Sequence, residues 1–183
     1  DRRGFIPVDD YLAVTKEGQP VPHLWAIGDA TGKMMLAHTA SAQGVAAIET
    51  ICGRPRMVDY HSIPAAAFTH PEIGFVGMTE PAAQEKAKAE GFEVGVAKTY
   101  FKGNAKAIAE GETEGLAKVI FRKDTGELLG VHIFGLHASD LIQEAANAIA
   151  NRQSVHALAF LVHTHPTLSE VLDEAYKRAV GTH

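Results

Sequence analysis

The sequence predicts an α+β fold, an antiparallel sheet flanked by helices, preceded by a segment of a different kind. Three observations carry this. Between residues 65 and 134, short apolar runs recur with turn signals between them, the pattern of strands. From residue 139 onward, apolar residues recur every three or four positions, the pattern of helices. Strands grouped ahead of helices, rather than alternating with them, belong to an antiparallel sheet.

Residues 4–27 read as extended pieces around turns, punctuated by Glu17-Gly18, Pro20 and Pro22. Leu24-Trp25-Ala26-Ile27 reads as a strand that stops at Gly28-Asp29-Ala30. Residues 37–51 are rich in Ala and predict a buried helix, with Gly53 as its C-terminal cap. Residues 53–64 hold two prolines, two arginines and no periodicity, so they read as a linker. The expected domains are residues 1–57 and 58–183.

In the second domain, strands are expected at 65–69 and 73–78, on either side of His70-Pro71-Glu72. Thr79 should cap a helix ending at Gly91. Three more strands are expected at 94–101, 116–122 and 128–134, the last two joined by a loop of hairpin length at 123–127. Ser139 should cap a helix with Leu141, Ile142, Ala145, Ala148 and Ile149 on one side. A short helix at 155–160 and a final one carrying Leu168, Val171, Leu172, Ala175, Tyr176 and Ala179 complete the pattern. The apolar strips of the two longer helices read as core, and part of that surface could instead meet a second copy of the chain.

The composition is that of a globular protein: 183 residues, 46% hydrophobic and 21% charged, with a net charge of -5. The negative charge and the lack of any Lys/Arg cluster argue against nucleic acid as a partner. No apolar run approaches the roughly 18 residues of a membrane helix, so no membrane is expected. The chain opens at Asp1 within an extended pattern, and it is expected to be part of a longer one. Its single cysteine, Cys52, cannot form an internal disulfide and reads as a small buried residue.

The stretch richest in chemistry is His163-Thr164-His165-Pro166-Thr167-Leu168-Ser169-Glu170. Thr167-x-x-Glu170 fits a capping box, in which Glu170 serves only the helix N-terminus. His163-x-His165 fits half of a metal site, but no further ligands are spaced to complete it, and no metal is expected. The third reading is acid–base chemistry. A proline biases the residue before it away from helical geometry, which holds His165 at a bend ahead of the helix. Glu170 can reach back to one ring nitrogen, fixing the tautomer and supporting the other nitrogen as a base. Such a pair suits proton removal from a thiol.

This octapeptide closely resembles the C-terminal signature of the dihydrolipoamide dehydrogenases, members of the pyridine nucleotide-disulfide oxidoreductase family. The resemblance implies that His165 is the acid–base catalyst, Glu170 its partner and the His165–Pro166 peptide cis. Leu168-Ser169-Glu170 and the upstream His163 favour the lipoamide enzyme over glutathione reductase-type relatives, and the cysteine pair that ends mercuric reductases is absent. Leu24 to Ala30 followed by Met35-Leu36-Ala37-His38 is similar to a flavin-contacting segment of the same family. By that likeness Asp29, Met35, Leu36, Ala37 and His38 contact FAD: Asp29 through ribitol hydroxyls, residues 36–38 through a helix N-terminus facing the flavin. Phe68 to Gly77 resembles the start of the family's interface domain, with His70 and Glu72 as structural residues.

The likeness implies a remnant of the FAD-binding domain followed by the interface, or dimerisation, domain. It further implies a homodimer in which His165 serves the partner subunit's active site, and oxidation of protein-bound dihydrolipoamide with NAD⁺ as final acceptor. Expected partners are the lipoyl domains of 2-oxo acid dehydrogenase or glycine cleavage complexes, in the cytoplasm or an organellar matrix. Neither G-x-G-x-x-G nor C-x-x-x-x-C occurs in the chain. The alternatives are a dimerisation module without activity and a related reductase acting on another dithiol.

Overall fold

The computed structural model describes residues 1–182 and divides into two compact units, one from Asp1 to Tyr60 and one from His61 on. The first holds a two-stranded antiparallel ribbon, β1 (Ala13–Lys16) and β2 (Gln19–Trp25), turned at Glu17 and Gly18, which both have positive φ. The ribbon extends through Pro20 and Pro22, where the sequence suggested breaks. Both strands of a two-stranded ribbon are edges, the place where proline is tolerated. The ribbon ends at Trp25, so Ile27 starts a short 3₁₀ turn, Gly28–Thr31, instead of ending a strand.

Helix α1 (Ala37–Ile51) has the predicted bounds. It buries Ala46 and Ala47 with Leu12, and Val8, Trp25 and Val58 pack around them. Gly53 (φ +79°) closes it, with Gly53 N–H bonded to the Thr50 carbonyl and Arg54 N–H to that of Glu49. Cys52 is exposed, not buried as expected, because it falls at the helix end beyond the last buried turn.

The second unit is a five-stranded, wholly antiparallel sheet in the order β3-β4-β7-β6-β5. Its strands are β3 (Ala65–Ala67), β4 (Glu72–Gly77), β5 (Val94–Tyr100), β6 (Leu116–Arg122) and β7 (Leu128–Gly135). Between β4 and β5 runs α2 (Glu80–Glu90), capped by Thr79 and ended by Gly91. A short helix, α3 (Ala105–Glu110), precedes β6. Helices α4 (Ala138–Ala150), α5 (Val155–Leu158) and α6 (Glu170–Ala179) follow the sheet.

Alternation along the strands sorts the core. Ala97, Ala117, Val119, Phe121, Val131 and Ile133 join one cluster with Ile142, Ala145 and Ile149 of α4 and Val171, Leu172, Ala175 and Tyr176 of α6. Ile120 and Leu129 belong to another, with Ala83 of α2. Helix α4 lies so close to β4 that a Cβ on Gly74 would stand 2.4 Å from the Ala138 carbonyl oxygen. Only glycine fits there. α6 is tied to β5 by the buried Thr99 hydroxyl, which donates to the Val171 carbonyl at 2.7 Å.

α4 begins one residue before Ser139, behind His137 with positive φ. Ser139 is therefore not the cap. It sits in the first turn, and its N–H is satisfied by Glu72 Oε2 at 2.9 Å. None of the helices among the described residues is long and apolar enough to cross a membrane.

Candidate active site

His165 and Glu170 meet across the turn that opens α6. The His165–Pro166 peptide is cis, as the resemblance implied. His165 Nδ1 lies 2.9 Å from Glu170 Oε1, and the other carboxylate oxygen accepts the Thr167 N–H at 2.8 Å. Capping and acid–base readings thus coexist, one oxygen for each. The capping box is only half formed: the Thr167 hydroxyl donates to the Thr164 carbonyl at 2.6 Å and lies 2.9 Å from the Ser169 hydroxyl, rather than accepting an N–H of the helix. The imidazole side chain is 70% exposed and the carboxylate 25%. A shielded acid therefore supports an accessible ring.

The Thr167 N–H, and after it His165, hold the Glu170 carboxyl below the ordinary value of 4.5 against the opposing effect of burial. The side chain and N–H of Ser139 do the same for Glu72. A carboxyl whose folded pKa is depressed adds stability above its unfolded pKa, and that stability is lost as pH falls through the folded value. Thermal midpoints followed from neutral pH to about pH 3 should therefore drop less steeply for Glu170→Gln than for the unchanged protein. Parallel curves would show that Glu170 contributes no such linkage.

Asn104 holds the same turn from the other side, a role the sequence did not reveal. It is 7% exposed and caps α3 through Oδ1, which accepts the Ala107 N–H at 3.0 Å. Its Nδ2 donates to the Thr167 carbonyl at 3.0 Å. Asn104, Asp173 and Lys177 line one open cleft with His165 and Glu170. His163 is not paired with His165 but lies 3.0 Å from Glu144. Among the described residues no group of three His, Cys, Asp or Glu side chains is placed to hold a metal. His70 and Glu72 form no dyad either: His70 Nε2 is 3.6 Å from Glu112, while Glu72 holds the start of α4.

In the first unit, Asp29 is exposed on the 3₁₀ turn and Met35 is 57% exposed just ahead of α1. Leu36 is the N-cap, with no oxygen to offer the helix, and Ala37 and His38 are its exposed first residues. Gln43, fully buried on α1, accepts the Gly28 N–H at 2.6 Å and donates to the Tyr60 hydroxyl at 3.0 Å, which fixes the turn carrying Asp29. A glutamine in an Ala-rich helix gives no sign of this in sequence. An exposed carboxylate and a helix N-terminus with an apolar cap are groups that fit a flavin's hydroxyls and its electron-rich edge.

Residues 63–176 match the model of the pyridine nucleotide-disulphide oxidoreductase dimerisation domain. The chain is 72% identical over 180 residues to a dihydrolipoyl dehydrogenase of Synechocystis, covering 98% of this chain and 38% of that protein. It is 60% identical to the chloroplastic dihydrolipoyl dehydrogenase 2 of Arabidopsis thaliana, covering 97% of this chain and 32% of that one. Among solved structures, LpdA from Mycobacterium tuberculosis superposes with a TM-score of 0.82 at 29% identity, over 95% of this chain and 36% of LpdA. The chain thus spans about a third of the length of these relatives. It belongs to the pyridine nucleotide-disulphide oxidoreductase family, whose dimerisation domain it carries.

Proposed function

We propose that this chain is the C-terminal part of a dihydrolipoyl dehydrogenase and supplies the acid–base pair for its thiol step. The observation that carries this reading is the pairing of His165 Nδ1 with a shielded Glu170 while the ring itself stays accessible. With Nδ1 donating to the carboxylate, Nε2 is the proton acceptor. Nε2 takes the proton of a dihydrolipoamide thiol, and the thiolate is the species that exchanges with a disulfide elsewhere in the enzyme. Glu170 supports the imidazolium so formed, and the imidazolium pairs with the thiolate. Asp29 and residues 35–38 would hold FAD, which when bound relays the electron pair to NAD⁺.

His165 serves the active site of the other subunit in a homodimer. Exposed apolar side chains of the second unit, among them Phe68, Phe160 and Val162, offer surface for that association. The protein partners are lipoyl domains of 2-oxo acid dehydrogenase or glycine cleavage complexes.

Glu170→Gln in the complete flavoenzyme tests the pair. Gln retains an oxygen for the Thr167 N–H but brings no charge to the imidazole. Lipoamide turnover is expected to fall on the order of 10-fold, less than the 10²–10⁴-fold typical of losing a general base. Unchanged turnover would leave Glu170 as a cap only.

A further inference from the structure

We infer that His163 is a positioning residue for His165, acting as the one inward anchor of the loop that presents it. The inference rests on the acid–base reading of His165. Phe160, Leu161 and Val162 are exposed by 78%, 47% and 98%. Thr164, His165 and Pro166 are exposed as well. Between them the His163 side chain is only 10% exposed. What it enters is not apolar core. Nε2 stands 3.0 Å from Glu144 Oε1 on α4, and Nδ1 stands 3.5 Å from Asp173 Oδ1 on α6. Lys177 partners the other oxygen of Asp173 at 2.7 Å, and the buried Tyr176 hydroxyl lies in the field of Glu144.

The chemistry of this clamp is specific. A neutral imidazole has one donor and one acceptor, whereas ionised carboxylates only accept. Nδ1 and Asp173 Oδ1 are buried and have no other hydrogen-bond partner, and 3.5 Å is long for a bond between them. The ring is hydrogen-bonded to Glu144 on one side and set against Asp173 on the other. His163 therefore ties the loop to α4 and α6 two residues before His165. α6 also carries Glu170, so the same helix receives the loop on both sides of the cis peptide. Asn104 and Thr164 restrain the far side through Thr167. Without His163, no inward side chain fixes the loop between Ala159 and His165. A misplacement of about 1 Å in a reacting group can lower a rate by about 10²-fold.

The test uses the complete flavoenzyme and six variants: His163→Leu, His163→Gln, Glu144→Ala, His165→Ala and the doubles of His163→Leu and of Glu144→Ala with His165→Ala. His163→Leu is expected to lower kcat for dihydrolipoamide by roughly 10- to 100-fold with KM little changed. NADH oxidation by artificial acceptors is expected to persist. His163→Gln, which restores a donor toward Glu144, should recover much of the loss. The decisive comparison is the His163→Leu/His165→Ala double: it should be no slower than His165→Ala alone, because an anchor for His165 has nothing left to position. Glu144→Ala, on the exposed side of the clamp, should show the same non-additivity and keeps the test open if His163→Leu does not fold. If His165→Ala is crippling but His163→Leu and Glu144→Ala leave kcat unchanged, or if their losses add to that of His165→Ala, the positioning role is overturned and the acid–base reading stands. If His165→Ala itself is harmless, the acid–base reading fails first.

Discussion

Replacing His165 by Ala in the complete flavoenzyme is expected to lower lipoamide turnover by roughly 10²–10⁴-fold. A thiol at neutral pH is mostly protonated, and the thiolate is the nucleophile in exchange. On the proposed reading, loss of the ring removes both the proton acceptor and the cation that stabilises the thiolate. The fold should be indifferent to the change, since the side chain is 70% exposed and its hydrogen bond among the described residues is to Glu170. Oxidation of NADH by artificial acceptors should survive, because electrons then leave the flavin without any thiol being deprotonated. Loss of both activities together would point to a folding or flavin-binding defect instead of the loss of a base.

The largest stability effect is expected at Phe101. Its ring is fully buried and joins the main core. Glycines on two neighbouring strand segments are shaped around it: a Cβ on Gly135, at φ +153°, would stand 2.5 Å from the ring and one on Gly115 would stand 3.0 Å away. Those two positions have no side chain that could move into the space when the ring is removed. Phe101→Ala should therefore cost about 3–5 kcal/mol, a large part of the roughly 5–15 kcal/mol that holds a domain together. Phe101 also begins the 3₁₀ turn that leads to Asn104, so the support of Thr167 should loosen with it. Urea unfolding at constant slope reads this directly. A shift worth less than about 1 kcal/mol would mean that the neighbouring core closes over the gap.

The fold was most legible where signals are local and redundant. α1 follows from its Ala-rich run and Gly53, α2 from Thr79 and Gly91, and the hairpin of β6 and β7 from the loop between them. α3 was missed because six residues hold less than two turns and no apolar period, and only Asn104 marks their start. Ser139 misled because it sits inside the first turn and meets Glu72, an acceptor from β4 that no local rule links to α4. The proline-bearing β2 was hidden by the same residues that usually end strands.

The candidate site divides in the same way. His165 and Glu170 lie five residues apart, close enough for their pairing to be read from spacing and a proline. The groups that hold them come from afar. Asn104 reaches Thr167 from the start of α3, and Glu144 reaches His163 from α4. Packing of helices on the sheet brings them in, and a single sequence carries no trace of it.

The most direct test of the acid–base assignment separates the two half-reactions of the complete enzyme by rapid mixing. One trace follows reduction of the flavin by dihydrolipoamide, the other its reduction by NADH, in the unchanged protein and in His165→Ala. The expected result is a dihydrolipoamide trace slowed by at least about 10²-fold beside an NADH trace that keeps its rate. Equal rates of reduction by dihydrolipoamide in the two proteins would contradict the assignment of His165 as the base.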